Sequence, residues 1–321
     1  MLPVLKFNPY FKSVIWGGSR IARFKGIPSQ GDDIGESWEL SPMPGHESVV
    51  SDGEFKGMTL NELVARYPAE ILGKKVDAKW HGNFPLLVKF IDSNDDLSIQ
   101  VHPDDALARE RHNSLGKTEM WYSILPSEGA YLYAGFNREM TPDKFRAMIA
   151  DNTIVSALGK FFVKPGDVFF LPAGRVHAIG KGNLLVEIQE ASDITYRIYD
   201  YDRRDAQGNP RELHVEQSVG AVNYNDVGQE AKNIIPENGA TLEVERCEYF
   251  TTSVSDVNGT LDLDLAPLDS FTILIGLSGS LTITDPEGRT TLLPAGQTLL
   301  VPASIPSLRI EGKGHLMTVN L

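Results

Sequence analysis

The stretch Gly166–His177, GDVFFLPAGRVH, recurs with changes as Gly296–Ser307, GQTLLVPASIPS. In each copy a glycine precedes a run of β-forming residues, and proline and alanine follow at the same offsets. Upstream, residues 120–133 and 271–284 both read as a strand, a turn and a second strand. Chance similarity between such segments is one explanation. The second match nevertheless favours two copies of one β unit, and therefore two related β domains.

Short runs with β propensity, separated by many of the 29 glycines and 19 prolines, fill much of the remaining chain. Such runs predict strands at residues 85–91, 120–125, 130–135, 166–171 and 184–189. Helical patterns interrupt the strands, and they are found after Thr59 and in residues 104–111, 142–149 and 212–222. The sequence therefore predicts a mainly β protein, built as sandwiches or barrels with inserted helices.

Composition and charge narrow the class of protein. The chain has 321 residues, 41% of them hydrophobic, and a formal net charge of -13. A charge of that sign argues against a nucleic-acid partner, which needs a basic surface. The single cysteine, Cys247, excludes a disulfide framework within one chain. We see no signal-peptide pattern and no apolar run of membrane-spanning length, so we expect a cytoplasmic protein without a membrane partner. Monomer and homodimer both remain open.

Polar residues alternate with apolar ones in the stretch Leu97–Asp105, LSIQVHPDD. If residues 97–102 form a strand, Gln100 and His102 lie side by side on one face. Taken alone, such a pair is most often part of a solvated face, and a metal site is the less common explanation.

Two further residues complete a possible metal-ligand set. Glu119 lies on a predicted strand, and His177 ends the first copy of the repeat, where the second copy has Ser307. Two imidazoles, a carboxylate and an amide oxygen suit a borderline divalent ion such as zinc. Because the amide is neutral, the set carries one negative charge, which leaves a bound ion more electrophilic. The alternative to a metal site is that Glu119 is a charge on the protein surface and that His177 is a turn residue hydrogen-bonded to the backbone.

Charged residues lie close to these positions along the chain. An ionisable side chain on an otherwise apolar strand is costly unless it is paired or functional. A structural network of ion pairs is the alternative to an active site. That cost applies to Glu187 and Lys89, and the other nearby charged residues are Lys117, Asp193 and Arg197.

Six ordered motifs resemble the type I phosphomannose isomerase family, in its short bacterial form. They are GESWE (35–39), PLLVK (85–89), LSIQVHPDD (97–105), GKTE (116–119), PAGRVHAIG (172–180) and SDITYRIYDYD (192–202). The resemblance covers about residues 8–222 with motifs in the family's order, and the C-terminal part only loosely.

The resemblance implies two cupin-type domains, each a jelly roll (double-stranded β-helix), and one zinc ion per chain. Residues 1–235 would form a catalytic cupin domain with helical insertions, and residues 236–321 a degenerate cupin-like domain without metal ligands. By position, the four zinc ligands of the family match Gln100, His102, Glu119 and His177.

The resemblance also implies an activity, the interconversion of mannose 6-phosphate and fructose 6-phosphate through an enediol. Arg197 matches the family's catalytic arginine and Lys117 an active-site lysine, and both would also bind substrate. Glu187, Asp193 and Lys89 match polar residues of the pocket. Thr118 departs from the proline of longer family members, which affects the subfamily and leaves the ligand set intact.

Three other functions compete with this one. The chain could be a metal-dependent cupin isomerase or epimerase for another sugar phosphate. It could be a non-catalytic sugar-binding cupin, although such a protein needs no complete ligand set. It could also be a metal-dependent oxygenase, which usually leaves more positions open on an iron ion.

Overall fold

The computed structural model describes residues 1–204, 208–228 and 230–321. Strands account for 40% and helices for 16%, which confirms the expected mainly β fold with inserted helices. The chain forms two compact units. Unit 1 comprises Met1–Lys12, Ser19–Phe90 and Ile234–Leu321, and unit 2 comprises Ser13–Gly18 and Ile91–Asn233. Each of these units is compact in space and combines separate segments of the chain. The division of the sequence into two domains, residues 1–235 and 236–321, stays a prediction.

The strands follow in chain order. The first five are β1 (Leu5–Asn8), β2 (Tyr10–Gly18), β3 (Ile34–Leu40), β4 (Val49–Val50) and β5 (Leu86–Ser93). Unit 2 contains β6 (Ile99–Val101), β7 (Glu119–Ser123), β8 (Tyr131–Phe136), β9 (Leu158–Phe162), β10 (Asp167–Leu171), β11 (His177–Ile179), β12 (Asn183–Glu190), β13 (Tyr196–Tyr199) and β14 (Lys232–Asn233). The last strands are β15 (Thr241–Arg246), β16 (Thr251–Asp264), β17 (Thr272–Gly276), β18 (Ser280–Thr284), β19 (Thr290–Pro294), β20 (Thr298–Val301) and β21 (Ser307–Asn320).

The helices are short and are bounded by local signals in the sequence. They are α1 (Arg20–Phe24), α2 (Leu60–Arg66), α3 (Pro68–Leu72), α4 (Lys74–Trp80), α5 (Asp105–His112), α6 (Pro142–Ala150) and α7 (Val215–Ala221), with a 3₁₀ turn at Ile154–Ala157. Thr59 forms a capping box with Glu62 at the start of α2, and the Thr141 hydroxyl accepts a hydrogen bond from the N–H of Lys144 in α6. Among the described residues, no helix is long and apolar enough to cross a membrane.

Unit 1 is built around one antiparallel sheet with the strand order β15-β16-β21-β17-β20-β1-β4. The strands β18 and β19 extend this sheet from β21. The longest pairing, between β16 and β21, runs from Thr251↔Asn320 to Asp264↔Ser307. Apolar side chains of these strands form a buried cluster that includes Leu274, Leu299 and Ile310.

Unit 2 contains two antiparallel groups of strands, β14-β10-β7-β12 and β13-β6-β11-β8-β9. Side chains from both groups, among them Trp121, Leu171, Leu132 and Ile179, share one buried cluster. The helices α6 and α7 contribute to a second buried cluster with the strands β6 and β13. The first cluster explains how residues on different sheets come close enough to build a site.

The two copies of the sequence repeat have the same strand pairing. In the first copy β7 pairs with β10 and β8 with β11, and in the second β17 pairs with β20 and β18 with β21. His177 is the first residue of β11, and its counterpart Ser307 is the first residue of β21. The repeat therefore reflects one pairing scheme used twice, with an imidazole at the equivalent position in one copy only.

Candidate metal centre

Three buried side chains meet inside unit 2. Glu119 is the first residue of β7, His177 is the first residue of β11, and His102 directly follows β6. Their possible ligand atoms all lie within 4.8 Å of one another. The strand expected at residues 97–102 is shorter in the structure, so His102 extends from a strand end. Gln100 is the antiparallel register partner of His177, which places the amide beside the imidazole.

The nitrogen and oxygen atoms of this cluster face each other. The Nε2 atom of His102 lies 3.5 Å from Glu119 Oε2, and the Nε2 atom of His177 lies 3.4 Å from Glu119 Oε1. The amide nitrogen of Gln100 lies 3.3 Å from His177 Nε2. Rotation of the amide exchanges its nitrogen and oxygen, so the oxygen can take the same place. Glu119 is 0% exposed and each histidine 1%, so water does not solvate these groups.

Backbone carbonyls fix the proton on each imidazole. The Nδ1 atom of His102 lies 2.9 Å from Ile194 O, and that of His177 lies 2.9 Å from Arg175 O. Because a carbonyl oxygen can only accept, each Nδ1 carries a hydrogen, and a ring in its neutral form then keeps a lone pair on Nε2. Burial lowers the pKa of His177 to about 4, so this ring is neutral near pH 7.

This arrangement fits a divalent cation. The Nε2 atoms of both rings face the oxygens of one buried carboxylate, and where these nitrogens carry lone pairs the facing acceptors repel unless a positive charge lies between them. Two imidazoles and a carboxylate, with an amide oxygen as a fourth donor, are ligand types that zinc accepts. The Nδ1–H bonds to carbonyls are the partners that usually orient metal-bound histidines.

Lys117 stands next to this cluster, as the sequence predicts. Its ammonium lies 3.2 Å from Glu119 Oε2, and its side chain is almost completely buried. Lys117 precedes β7, and its N–H donates to Pro103 O at 3.1 Å. The ligand set therefore has a fixed positive charge on one side.

Arg197 lies on β13 and is the register partner of Gln100. Its Nη1 donates to Glu212 O at 2.9 Å, and its backbone N–H donates to His214 Nδ1 at 3.1 Å. The N–H of His214 donates to Arg197 O at 2.7 Å, and α7 begins at the next residue, Val215, later than expected. Burial, followed by the charge of Arg211, lowers the pKa of Arg197 from its ordinary value.

Glu187 lies on β12 and is almost completely buried. Its Oε2 accepts a hydrogen bond of 2.9 Å from the indole nitrogen of Trp121, and that indole packs edge-on against His177. Trp121 was not among the predicted site residues. It lies two residues after Glu119 on β7, so strand alternation could have placed it on the same face.

The two other predicted residues are placed differently. Asp193 is exposed, and it immediately precedes Ile194, whose carbonyl holds His102. Lys89 lies on β5 in the part assigned to unit 1, where its Nζ is 3.9 Å from Glu36 Oε2 and 5.3 Å from the centre of the Trp38 ring. The cluster of His102, Glu119 and His177 includes neither of them.

The turn before His177 is anchored by a residue that the sequence did not single out. Arg175 donates from Nε and Nη2 to both carboxylate oxygens of Asp226, each at 2.8 Å, and from Nη1 to Phe170 O. These contacts hold the peptide carbonyl of Arg175 against His177. The partner residue lies 51 positions away, so no local signal could have revealed it.

Comparisons with known proteins identify the family of this chain. A family model described as the catalytic domain of type I phosphomannose isomerase matches residues 4–124, and one described as the cupin domain of mannose-6-phosphate isomerase matches residues 240–321. The mannose-6-phosphate isomerase of Streptococcus mutans is 37% identical over 93% of this chain and 92% of its own. Mannose-6-phosphate isomerase ManA of Bacillus subtilis is 37% identical over 91% of this chain and 93% of its own. A crystal structure of the Bacillus subtilis mannose 6-phosphate isomerase covers 100% of both chains with a TM-score of 0.89 and 33% identity. The resemblance in the sequence motifs is therefore confirmed, and the chain belongs to the type I phosphomannose isomerase family.

Proposed function

We propose that the chain interconverts mannose 6-phosphate and fructose 6-phosphate, with a zinc ion held by Gln100, His102, Glu119 and His177. Membership of the family makes the chain an aldose–ketose isomerase, and relatives across its full length carry the name of this reaction. The metal part of the proposal is supported by the convergence of two buried imidazoles on one buried carboxylate. No nucleic-acid or membrane partner is needed for this function, and we propose a cytoplasmic location.

The proposed reaction moves a proton between C1 and C2 of the open-chain sugar through an enediol. It needs a group that accepts and returns the carbon-bound proton, and positive charge near the two sugar oxygens. When bound, zinc would polarise those oxygens and stabilise the negative charge that develops on them.

Lys117 and Arg197 are proposed to supply the remaining positive charge. The Lys117 ammonium, held 3.2 Å from Glu119, would bind a sugar oxygen and move a proton between O1 and O2. Arg197 keeps its charge at any physiological pH, and its planar fork suits an enediolate or a phosphate. Lys89 stays a proposed substrate-binding residue.

Three groups of the chain are candidates for the proton acceptor at carbon, namely Glu187, Asp193 and Lys117. Glu187 has the most defined surroundings, because it is buried and the Trp121 indole orients its carboxylate. Asp193 is exposed, and Lys117 is paired with Glu119. A comparison of Glu187→Gln with Asp193→Asn is expected to show the larger loss of kcat in the first variant, and the reverse order would assign Asp193.

Removal of the metal tests the metal part of the proposal. Dialysis against a chelator is expected to lower isomerase activity by at least about 100-fold, because polarisation of the sugar oxygens is lost. Added zinc should restore it, and protein dialysed against chelator already saturated with zinc serves as the control. Full activity in protein that elemental analysis shows to be free of metal would exclude the mechanism. Iron in the purified protein, together with oxygen consumption, would favour an oxygenase.

A substrate panel tests the identity of the sugar. Purified protein is expected to form fructose 6-phosphate from mannose 6-phosphate faster than from epimeric hexose 6-phosphates, as a coupled assay can measure. Faster turnover of another epimer would make the chain an isomerase or epimerase for that sugar. Binding without turnover of any of them would make it a sugar-binding cupin.

A further inference from the structure

Two carboxyl groups, those of Asp105 and Glu190, hold the segment that leads into β7. Glu190 ends β12 and is 1% exposed, and Asp105 begins α5. The N–H of Thr118 donates to Glu190 Oε1 at 2.7 Å, and the N–H of Gly116 donates to Asp105 Oδ1 at 2.8 Å. The two carboxyl groups also lie within hydrogen-bonding reach of each other. One pair of acids thus binds the backbone on both sides of Lys117.

Residues 116–118 are packed closely against this pair. The N–H of Glu190 donates back to Thr118 O at 3.1 Å. A Cβ atom on Gly116 would lie 2.5 Å from the backbone nitrogen of Asp105, so only glycine fits at this position. The segment therefore has little freedom to move, and it carries Lys117 and leads directly to Glu119.

Two acids in contact need a proton between them. Burial, followed by the negative charge of Asp105, raises the pKa of Glu190 to about 8. The buried Oε2 of Glu190 accepts from no N–H or O–H among the described residues, and as a protonated oxygen it can donate to Asp105 instead. The nearby charges have other partners, since Asp104 accepts from Leu107 N and Lys117 pairs with Glu119. The basic residues of α5, which are Arg109, Arg111 and His112, lie in its last turn, whereas Asp105 lies in its first turn.

We propose that Asp105 and Glu190 are positioning residues, which share one proton and so hold Lys117 and Glu119 in the orientation that the site requires. A negative charge on Asp105 is favoured by its place in the first turn of α5. Loss of the shared proton would leave two like charges side by side, and their repulsion would release the segment of residues 116–118. The inference rests on the proposed roles of Lys117 and Glu119.

The variants Glu190→Ala and Glu190→Gln test this pair, with kcat, KM, bound zinc and thermal midpoint as readouts. Glu190→Ala removes the acceptor of the Thr118 N–H and the carboxyl group that shares a proton with Asp105. We expect kcat to fall by up to about 100-fold, since small misplacements of catalytic groups have effects of that size. Glu190→Gln mimics the protonated acid, so kcat at pH 7 should recover to near the wild-type value. Between pH 7 and pH 9 the ratio of kcat in Glu190→Gln to kcat in wild type should rise by about tenfold, as expected for one proton lost near pH 8.

The matched control is Glu216→Gln, which changes an exposed carboxylate on α7 and should leave this ratio constant. The inference is overturned if Glu190→Gln loses as much kcat as Glu190→Ala, or if its ratio to wild type stays constant with pH. Should Glu190→Ala fail to fold, the pH profile of Glu190→Gln decides alone. The proposed metal site fails by a different result, namely activity that survives removal of the metal.

Discussion

Replacing Glu119 with glutamine is expected to lower kcat/KM by about 1,000-fold, or roughly 4 kcal/mol of transition-state stabilisation, together with loss of bound metal. Glu119 is the carboxylate toward which both imidazoles point. Glutamine has nearly the same shape but no charge, so the ligand set becomes neutral and its affinity for a divalent cation falls. Elemental analysis and steady-state kinetics on the same preparation measure both effects.

The same substitution should also lower stability. It leaves the buried Lys117 ammonium without the carboxylate that lies 3.2 Å away, and breaking a buried ion pair typically costs about 3–5 kcal/mol. A matched control is Glu216→Gln, because this residue pairs with Arg146 at the surface and is expected to change stability very little. Wild-type zinc content and activity in Glu119→Gln would refute the proposed ligand set.

Replacing Arg197 with alanine is expected to lower kcat by about 100- to 1,000-fold while the zinc content stays unchanged. The Nε of Arg197 is buried and has no hydrogen-bond partner among the described residues, and a substrate oxygen could accept from it. The pairing of residue 197 with Gln100 and His214 uses the backbone, so the substitution should leave β13 and the ligands in place.

Arg197→Lys separates charge from shape. Lysine keeps the positive charge but lacks the planar fork, so we expect it to recover only about a tenth of the lost activity. Arg146→Lys, on the exposed face of α6, is the matched control for the same chemical change. Parallel losses of zinc and activity in Arg197→Ala would make this residue structural.

Features that depend on neighbouring residues could be predicted from the sequence. The start of α2 follows from the capping box of Thr59 and Glu62, and the start of α6 follows from Thr141 and Pro142. Short runs with β propensity likewise predict strands close to β5, β7, β8, β10 and β12. The candidate ligands could be chosen by residue type, and the structure brings His102, Glu119 and His177 together.

Contacts between distant residues could not be predicted in this way. The hydrogen bond from His102 to Ile194 O joins residues 92 positions apart, and that from Thr118 to Glu190 joins residues 72 apart. Neither the periodicity of apolar residues nor a helix-capping residue indicates which backbone carbonyl accepts a hydrogen bond from a histidine ring. The N–H of Leu97 likewise donates to the distant Ile179 O, and β6 begins only at Ile99.

The carbonyl oxygens of Ile194 and Arg175 that hold the two imidazoles belong to the main chain. Every amino acid has this carbonyl, so no exchange of a side chain at either position can delete the acceptor. Substitutions at these two positions therefore leave the hydrogen on Nδ1 of each ring, provided that the backbone keeps its path. Side chains around these two turns can therefore change without removal of the two acceptors that orient the histidine rings toward Glu119.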